Sequence, residues 1–262
     1  MTTLAITGAV GRMGRRLIAL TAEDAELEVA CALEHEGCEL LGKDAGTVAG
    51  VGEIGVPIAC ELRRMADVLV DFSLPAGTAH WVPVAAAHGM AMVLGTTGLD
   101  EQTEAAIRAA AETVPIVRAP NMSVGVNLLF RVAGEIARTL GPDYDIEITE
   151  MHHRFKKDAP SGTAMGIARS ICDALGLEPG DVLRHGRQGA VGQRPKGEIG
   201  MHALRVGDVV GEHTVTFGCL GERIELKHVA HTRDTFVLGA LRAAKWVVGK
   251  PPKLYTMQDV LF

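Results

Sequence analysis

The densest chemistry in the sequence lies in residues 150–164, EMHHRFKKDAPSGTA. His152 and His153 are adjacent, Lys156 and Lys157 follow, and Pro160-Ser161-Gly162-Thr163 reads as a helix start with Ser161 as its N-cap. A helix start offers free N–H groups and a positive dipole end, which suit a carboxylate. Gly162 has no side chain to block an approaching anion, and Thr163 adds a hydroxyl. Imidazole and ammonium groups can both donate protons near neutrality once their surroundings tune them. A cationic cluster also attracts an acidic substrate. A metal centre is disfavoured. Neighbours on a strand face opposite ways, so His152 and His153 would not chelate one ion. No HExxH pattern or Cys partner is present, and His228 and His231 have no support. The competing reading is a solvated basic loop, the commoner fate of a charge run.

A second constellation sits near the N-terminus. Residues 8–14 read GAVGRMG, after a strand-like run and before a helix-like one. Gly8 permits a tight turn, Gly11 lets a pyrophosphate approach the chain, and the helix N-terminus faces the phosphates. The GxxGxxG spacing departs from the commoner GxGxxG, so the spacing is weak by itself. Glu34 strengthens it, at the end of the next strand, where a carboxylate meets the adenosine ribose hydroxyls. Gly95-Thr96-Thr97-Gly98 and Ala119-Pro120-Asn121-Met122 each follow a strand and fit the same crevice, although either alone also reads as an ordinary turn.

The elements that must position these groups follow from periodicity. Strands are predicted at Leu4–Thr7, Leu27–Leu33, Val68–Phe72, Met90–Leu94 and Pro115–Val117. Helices are predicted at Met13–Ala22, Ala79–His88 and Glu101–Glu112. Alternating strands and helices imply βαβ units and a parallel sheet. Further on, Val126–Leu140 and Ser161–Leu175 read as helices and Tyr144–Thr149 as a strand. From about His202 to Val229, strand-like stretches with no helix between them indicate an antiparallel or mixed sheet. Phe236–Val248 reads as a helix returning to the first domain. Arg184–Gly200 reads as a long loop, of the kind that is often functional or mobile. The expected fold class is α/β, a Rossmann-type domain of residues 1–123 completed by 234–262, with an α+β domain of residues 124–233.

Composition narrows the function. The chain has 262 residues, 47% hydrophobic and 22% charged, the balance of a globular protein with a full core. A net charge of -6 argues against a nucleic-acid partner, and 4% aromatics argue against base stacking. No apolar run reaches the roughly 18–20 residues of a membrane span, and the N-terminus does not read as a signal peptide. Five scattered cysteines, odd in number and without CxxC spacing, suggest reduced thiols in a cytoplasm.

Over nearly its whole length the sequence resembles the dihydrodipicolinate reductase family of the diaminopimelate and lysine pathway. The resemblance is carried by GAVGRMG at 8–14, DFSLPAGT at 71–78, GTTG at 95–98, APNMSVGVNLL at 119–129, EMHHRFKKDAPSGTA at 150–164 and GEHTVTF at 211–217. It implies hydride transfer from NADH or NADPH to a cyclic imine dicarboxylate, with a proton delivered to the neighbouring carbon. It also implies a homotetramer built through the second domain's sheet. By motif, His152 is the proton donor or acceptor and Lys156 a second donor, while His153, Gly162 and Thr163 hold the substrate. The nucleotide contacts implied are Gly8, Ala9, Val10, Gly11, Arg12, Met13, Glu34, His35, Gly95, Thr96, Thr97, Ala119, Pro120, Asn121 and Met122. One departure matters: many members carry Arg after the ribose-binding acid, and here that position is His35. Dual use of NADH and NADPH is therefore expected. A related amino-acid or semialdehyde dehydrogenase would account for 8–14 but not for 150–164. A redox-sensing nucleotide binder would need a DNA-binding element that the sequence lacks.

Overall fold

Leu4, Ala5 and Ile6 are all fully buried, which requires a strand covered on both faces. They belong to β1 (Thr2–Thr7), which is followed by α1 (Arg12–Ala22), β2 (Leu27–Leu33), α2 (Ala45–Ala49), β3 (Ile58–Ala59) and β4 (Val68–Asp71). The alternation continues through α3 (Pro75–Ala87), β5 (Ala91–Leu94), α4 (Glu101–Ala110) and β6 (Pro115–Arg118). Next come α5 (Val124–Leu140), β7 (Asp145–His152), α6 (Gly162–Leu175), α7 (Pro179–Val182), β8 (Leu183–His185), β9 (Ile199–Arg205), β10 (Gly211–Cys219) and β11 (Glu222–Ala230). The chain ends with α8 (Asp234–Val247), β12 (Lys253–Tyr255) and α9 (Met257–Leu261). The computed structural model describes all residues, Met1–Phe262. They divide into two compact units, Met1–Val124 with Asp234–Phe262, and Gly125–Arg233.

The first unit is a seven-stranded sheet in the order β12-β6-β5-β4-β1-β2-β3, with every pairing parallel. Alternate residues feed two cores. Leu4, Ile6, Val68 and Val70 pack with Leu17 and Ile18 of α1 and with Val237, Leu241 and Val247 of α8. Ala5, Leu69 and Met92 pack on the other face with Trp81 and Val82 of α3 and Ile107 of α4. The strand order reverses at β1, so the carboxyl ends of β1 and β4 form the crevice where an open α/β sheet binds its ligand. Asp71 ties these ends together. Fully buried, it accepts hydrogen bonds from the hydroxyls of Thr7 (2.5 Å), Ser73 (2.5 Å), Thr78 (2.5 Å) and Thr96 (2.9 Å).

The second unit has a five-stranded sheet in the order β11-β10-β7-β9-β8. Ile146 and Ile148 of β7 and Val215 and Phe217 of β10 pack against Leu129 and Ala133 of α5 and Ile167 and Ile171 of α6. The run after His202 is not purely antiparallel. β10 pairs antiparallel with β7 and β11, but β9 lies parallel to β7 and to β8. The reason is connectivity: α6 lies between β7 and β9, and parallel neighbours need such a crossover. The expected long loop is shortened at both ends by β8 and β9. The segment between them is held rather than loose. Arg187 donates to Glu147 (2.7 Å) and Glu198 (2.5 Å), and Arg194 donates to Glu147 (3.0 Å) and Asp145 (2.7 Å). Burial opposes ionisation of Glu147, but hydrogen bonds from Arg187, His202 and Arg194 outweigh it and bring its pKa down to about 2.

Candidate active site

The glycine turn is shaped by close approach. Gly8 adopts φ +66°, a conformation that costs glycine little and other residues more. A Cβ at Gly14 would fall 2.1 Å from the Gly8 carbonyl oxygen, so the first turn of α1 can sit on the strand only without one. Gly11 is the N-cap of α1 and makes no side-chain capping bond. The orphan N–H groups of that turn are therefore left for an anion. Glu34 follows β2, and its Oε1 accepts the Val10 N–H at 3.0 Å, which fixes the carboxylate beside the turn. Arg12, His35, Thr97 and Pro120 are exposed, Met13 and Gly95 half-buried. These features fit the pyrophosphate and ribose of a dinucleotide.

Four of the expected nucleotide residues are buried. Ala9, Ala119 and Met122 lie in the core. The Thr96 hydroxyl is spent on Asp71 and on the Ser73 N–H (3.0 Å). Contacts from these positions would be made by backbone. Asn121 is half-buried, and its Oδ1 accepts the Ser123 N–H at 2.9 Å.

In the second unit, β7 delivers His152 to the buried face of the sheet, 9% exposed. Its Nδ1 lies 2.6 Å from Glu150 Oε2. The two residues are two apart on one strand and so share a face. Arg205 of β9 binds Glu150 with both terminal nitrogens, at 2.8 and 2.9 Å. The Ser161 N–H donates to the other Glu150 oxygen at 3.1 Å. Burial opposes ionisation of Glu150, but the hydrogen bonds from Arg205 and His152 win and hold it below the usual carboxylate range. Burial pushes the His152 imidazole below its ordinary value, and Glu150 only partly offsets this.

Ser161 caps α6 as the sequence suggests, its Oγ accepting the Ala164 N–H at 3.1 Å. The same Oγ is 3.0 Å from His213 Nε2. Burial drives His213, 3% exposed, down to a pKa of about 3. Its ring stands edge-on to His152, with centroids 5.2 Å apart. Gly162 is exposed, and a Cβ there would meet nothing within 4 Å. The protein does not itself fill the space beside the helix start. Lys156 is half-buried and pairs with Asp158 at 2.9 Å, and His153 and Thr163 are half-buried. The flanks of the run, Glu150–His153 and Pro160–Ala164, are mostly covered, whereas between them Arg154, Phe155, Lys157, Asp158 and Ala159 are exposed and only Lys156 is half-buried.

Three contributors had no role in the sequence reading. Glu150 lies beyond the predicted strand Tyr144–Thr149; the strand runs on to His152, and that continued alternation puts the two on one face. Arg205 and His213 reach the cluster through the pairings of β9 and β10 with β7, which no local pattern announces.

The parallel sheet, its switch point and the glycine-shaped turn define a Rossmann-type dinucleotide-binding protein. Sequence models of dihydrodipicolinate reductase match along the chain, the N-terminal part at residues 2–122 and the C-terminal part at 125–261. The 4-hydroxy-tetrahydrodipicolinate reductases of Geobacter metallireducens and Geobacter sulfurreducens are each 48% identical, covering 100% of this chain and 99% of theirs. A dipicolinate-bound dihydrodipicolinate reductase from Paenisporosarcina sp. TG-14 shares the fold at TM-score 0.77 and 24% identity, over 98% of this chain and 97% of that one. The chain belongs to the dihydrodipicolinate reductase family.

Proposed function

We propose that the protein reduces 4-hydroxy-tetrahydrodipicolinate to tetrahydrodipicolinate in diaminopimelate and lysine biosynthesis. The observation that carries this reading is the second unit's pairing of an unobstructed helix start at Gly162-Thr163 with a carboxylate-held imidazole at His152. The overall reaction takes up a hydride and a proton and releases water. A bound nicotinamide dinucleotide supplies the hydride. The chain's own residues hold the substrate and move the proton. The α6 N–H groups, Thr163 and His153 take a substrate carboxylate, and His152 or Lys156 delivers the proton to the carbon next to the reduced one. Residues 1–123 with 234–262 serve the nucleotide, and 124–233 serve the substrate. Following loss of NADH or NADPH with the product of dihydrodipicolinate synthase tests the proposal. No loss above the substrate-free rate, with folded protein, would overturn it.

For cofactor choice, Glu34 accepts ribose hydroxyls and repels a 2′-phosphate. His35 lacks the fixed charge and bidentate fork with which an arginine would offset that repulsion, though the exposed Arg12 can reach toward it. NADH should serve at least as well as NADPH. Matched titrations check this, and an NADPH preference above about tenfold, worth about 1.4 kcal/mol, would refute it. His35→Arg should move the balance toward NADPH.

A further inference from the structure

Glu150 is fully buried, and the proposed chemistry gives it no task. Its acceptor capacity is nonetheless fully used. Oε1 takes the Ser161 N–H at 3.1 Å and Arg205 Nη2 at 2.9 Å, and Oε2 takes Arg205 Nη1 at 2.8 Å and lies 2.6 Å from His152 Nδ1. Arg205 is held in turn by the carbonyls of Leu204 and Asp158, each at 2.6 Å. An ionised carboxylate only accepts, so the hydrogen between Glu150 and His152 belongs to the imidazole Nδ1. Nε2 is then the ring nitrogen with a lone pair to exchange. On β10, Gly211 keeps that side clear, since a Cβ there would stand 3.1 Å from Nε2.

We infer that Glu150 is the positioning residue of this site: it fixes the His152 proton on Nδ1, reserves Nε2 for proton exchange with the substrate, and seats the α6 start through Ser161. The inference rests on the reading of His152 as a proton donor or acceptor. The step balances simply: Nε2 takes a proton from solvent and passes it to the substrate carbon beside the one that receives the hydride. Four ionisable groups face His152, namely Glu150 on its own strand, Arg205 on β9, His213 on β10 and Lys156 in the following loop. Of these only Glu150 is an anion. Without it, nothing would offset the cations and burial that oppose an imidazolium.

The test compares Glu150→Gln, His152→Gln and wild type by turnover, pH profile and ring nitrogen NMR of His152. A misplaced tautomer in a comparable carboxylate–histidine pair costs up to about 10⁴-fold, and loss of a positioned acid about 10²–10⁴-fold. Glu150→Gln should lower kcat about 10²-fold and leave NADH affinity unchanged. The limb that reports a protonated His152 should move to lower pH. In wild type above the His152 pKa, the ring spectrum should show Nδ1 protonated and Nε2 bare; in Glu150→Gln the two tautomers should mix. Because Glu150→Gln leaves Arg205 short of its partner, the double variant Glu150→Gln with Arg205→Met removes both ions, a change that buried pairs often tolerate. It should stay folded and slow. A slow His152→Gln beside a Glu150→Gln of wild-type turnover and pH profile overturns the inference alone, as would restored turnover in the double variant. Wild-type turnover in His152→Gln overturns the underlying reading.

Discussion

In the proposed reaction the proton chemistry falls to His152, a buried imidazole, and Lys156, a half-buried ammonium, and their replacement separates the two. His152→Gln and Lys156→Met should each lower turnover about 10²–10⁴-fold with NADH affinity nearly unchanged, as steady-state rates and a fluorescence titration will show. Wild-type turnover in both would reduce the segment to a substrate-attracting loop. His213 makes a different prediction, one about stability. Its folded pKa of about 3 lies below the ordinary value of 6.5, so the unfolded chain takes up a proton that the folded chain refuses. Its contribution is fully present above pH 6.5 and is lost as pH falls from there toward 3, at up to about 1.4 kcal/mol per pH unit. Burial lowers His152 and His228 as well, so all three act in the same direction. Urea midpoints between pH 8 and 5 should fall for wild type and flatten in His213→Gln, and equal slopes would refute the assignment. At this scale the sequence was legible where chemistry is local. His152, His153, Lys156 and Ser161 stand in one run with Gly162 and Thr163, whereas Arg205 and His213 arrive through strand register across the sheet, which no spacing along the chain encodes.

Elements were legible wherever the apolar period was unbroken. β2 covers Leu27–Leu33, the residues expected, and α6 begins directly after its Ser161 cap. The reading failed where pairing rather than pattern makes the element. β3 has two residues and β8 and β12 three each, too few for any period, and each exists because a neighbouring strand lies alongside it. α3 starts at Pro75, four residues before the predicted Ala79, because proline's fixed φ suits a first helical turn. The two helix starts proposed to receive anions invite contrasting substitutions. Gly14→Ala drives a Cβ against backbone 2.1 Å away, so α1 must shift off β1. It should lose about 1–3 kcal/mol of stability, the usual overpacking cost, and weaken NADH binding. Gly162→Ala meets nothing within 4 Å. It should leave the unfolding midpoint near wild type while raising the substrate KM, because the added methyl occupies space the ligand needs. Denaturant melts with substrate and NADH titrations check both, and a stable Gly14→Ala with normal NADH affinity would remove the close-packing argument.

For the whole molecule, the second unit's sheet has one face that its own chain covers only in part, where Arg187 and Arg194 reach Glu147. Its buried face carries Ile146, Ile148, Val215 and Phe217 against α5 and α6. Its other face carries Thr149 and Met151 of β7, Thr214 and Thr216 of β10, and His202 of β9, all half-buried, with Leu204 and Val229 exposed. β11 is also an edge strand, with only β10 beside it, and a long exposed edge is a pairing hazard that native proteins cover or charge. Glu222, Arg223, Glu225 and Lys227 charge this one, yet Ile224 is exposed as well. A mixed polar and apolar surface of this kind suits sheet-to-sheet packing between copies, whose two-fold contacts can repeat to close a tetramer. We therefore expect a homotetramer assembled through the open face of this sheet. Light scattering at micromolar concentration should return four times the chain mass. Thr214→Arg lies mid-strand on the open face, between Thr149 and Lys227, and its side chain leaves the sheet away from the core. It should split the assembly into smaller species of unchanged secondary structure, because burying an unpaired charge at a subunit interface costs several kcal/mol. A wild-type monomer would end the argument outright. A tetramer that survives Thr214→Arg would move the interface away from this face.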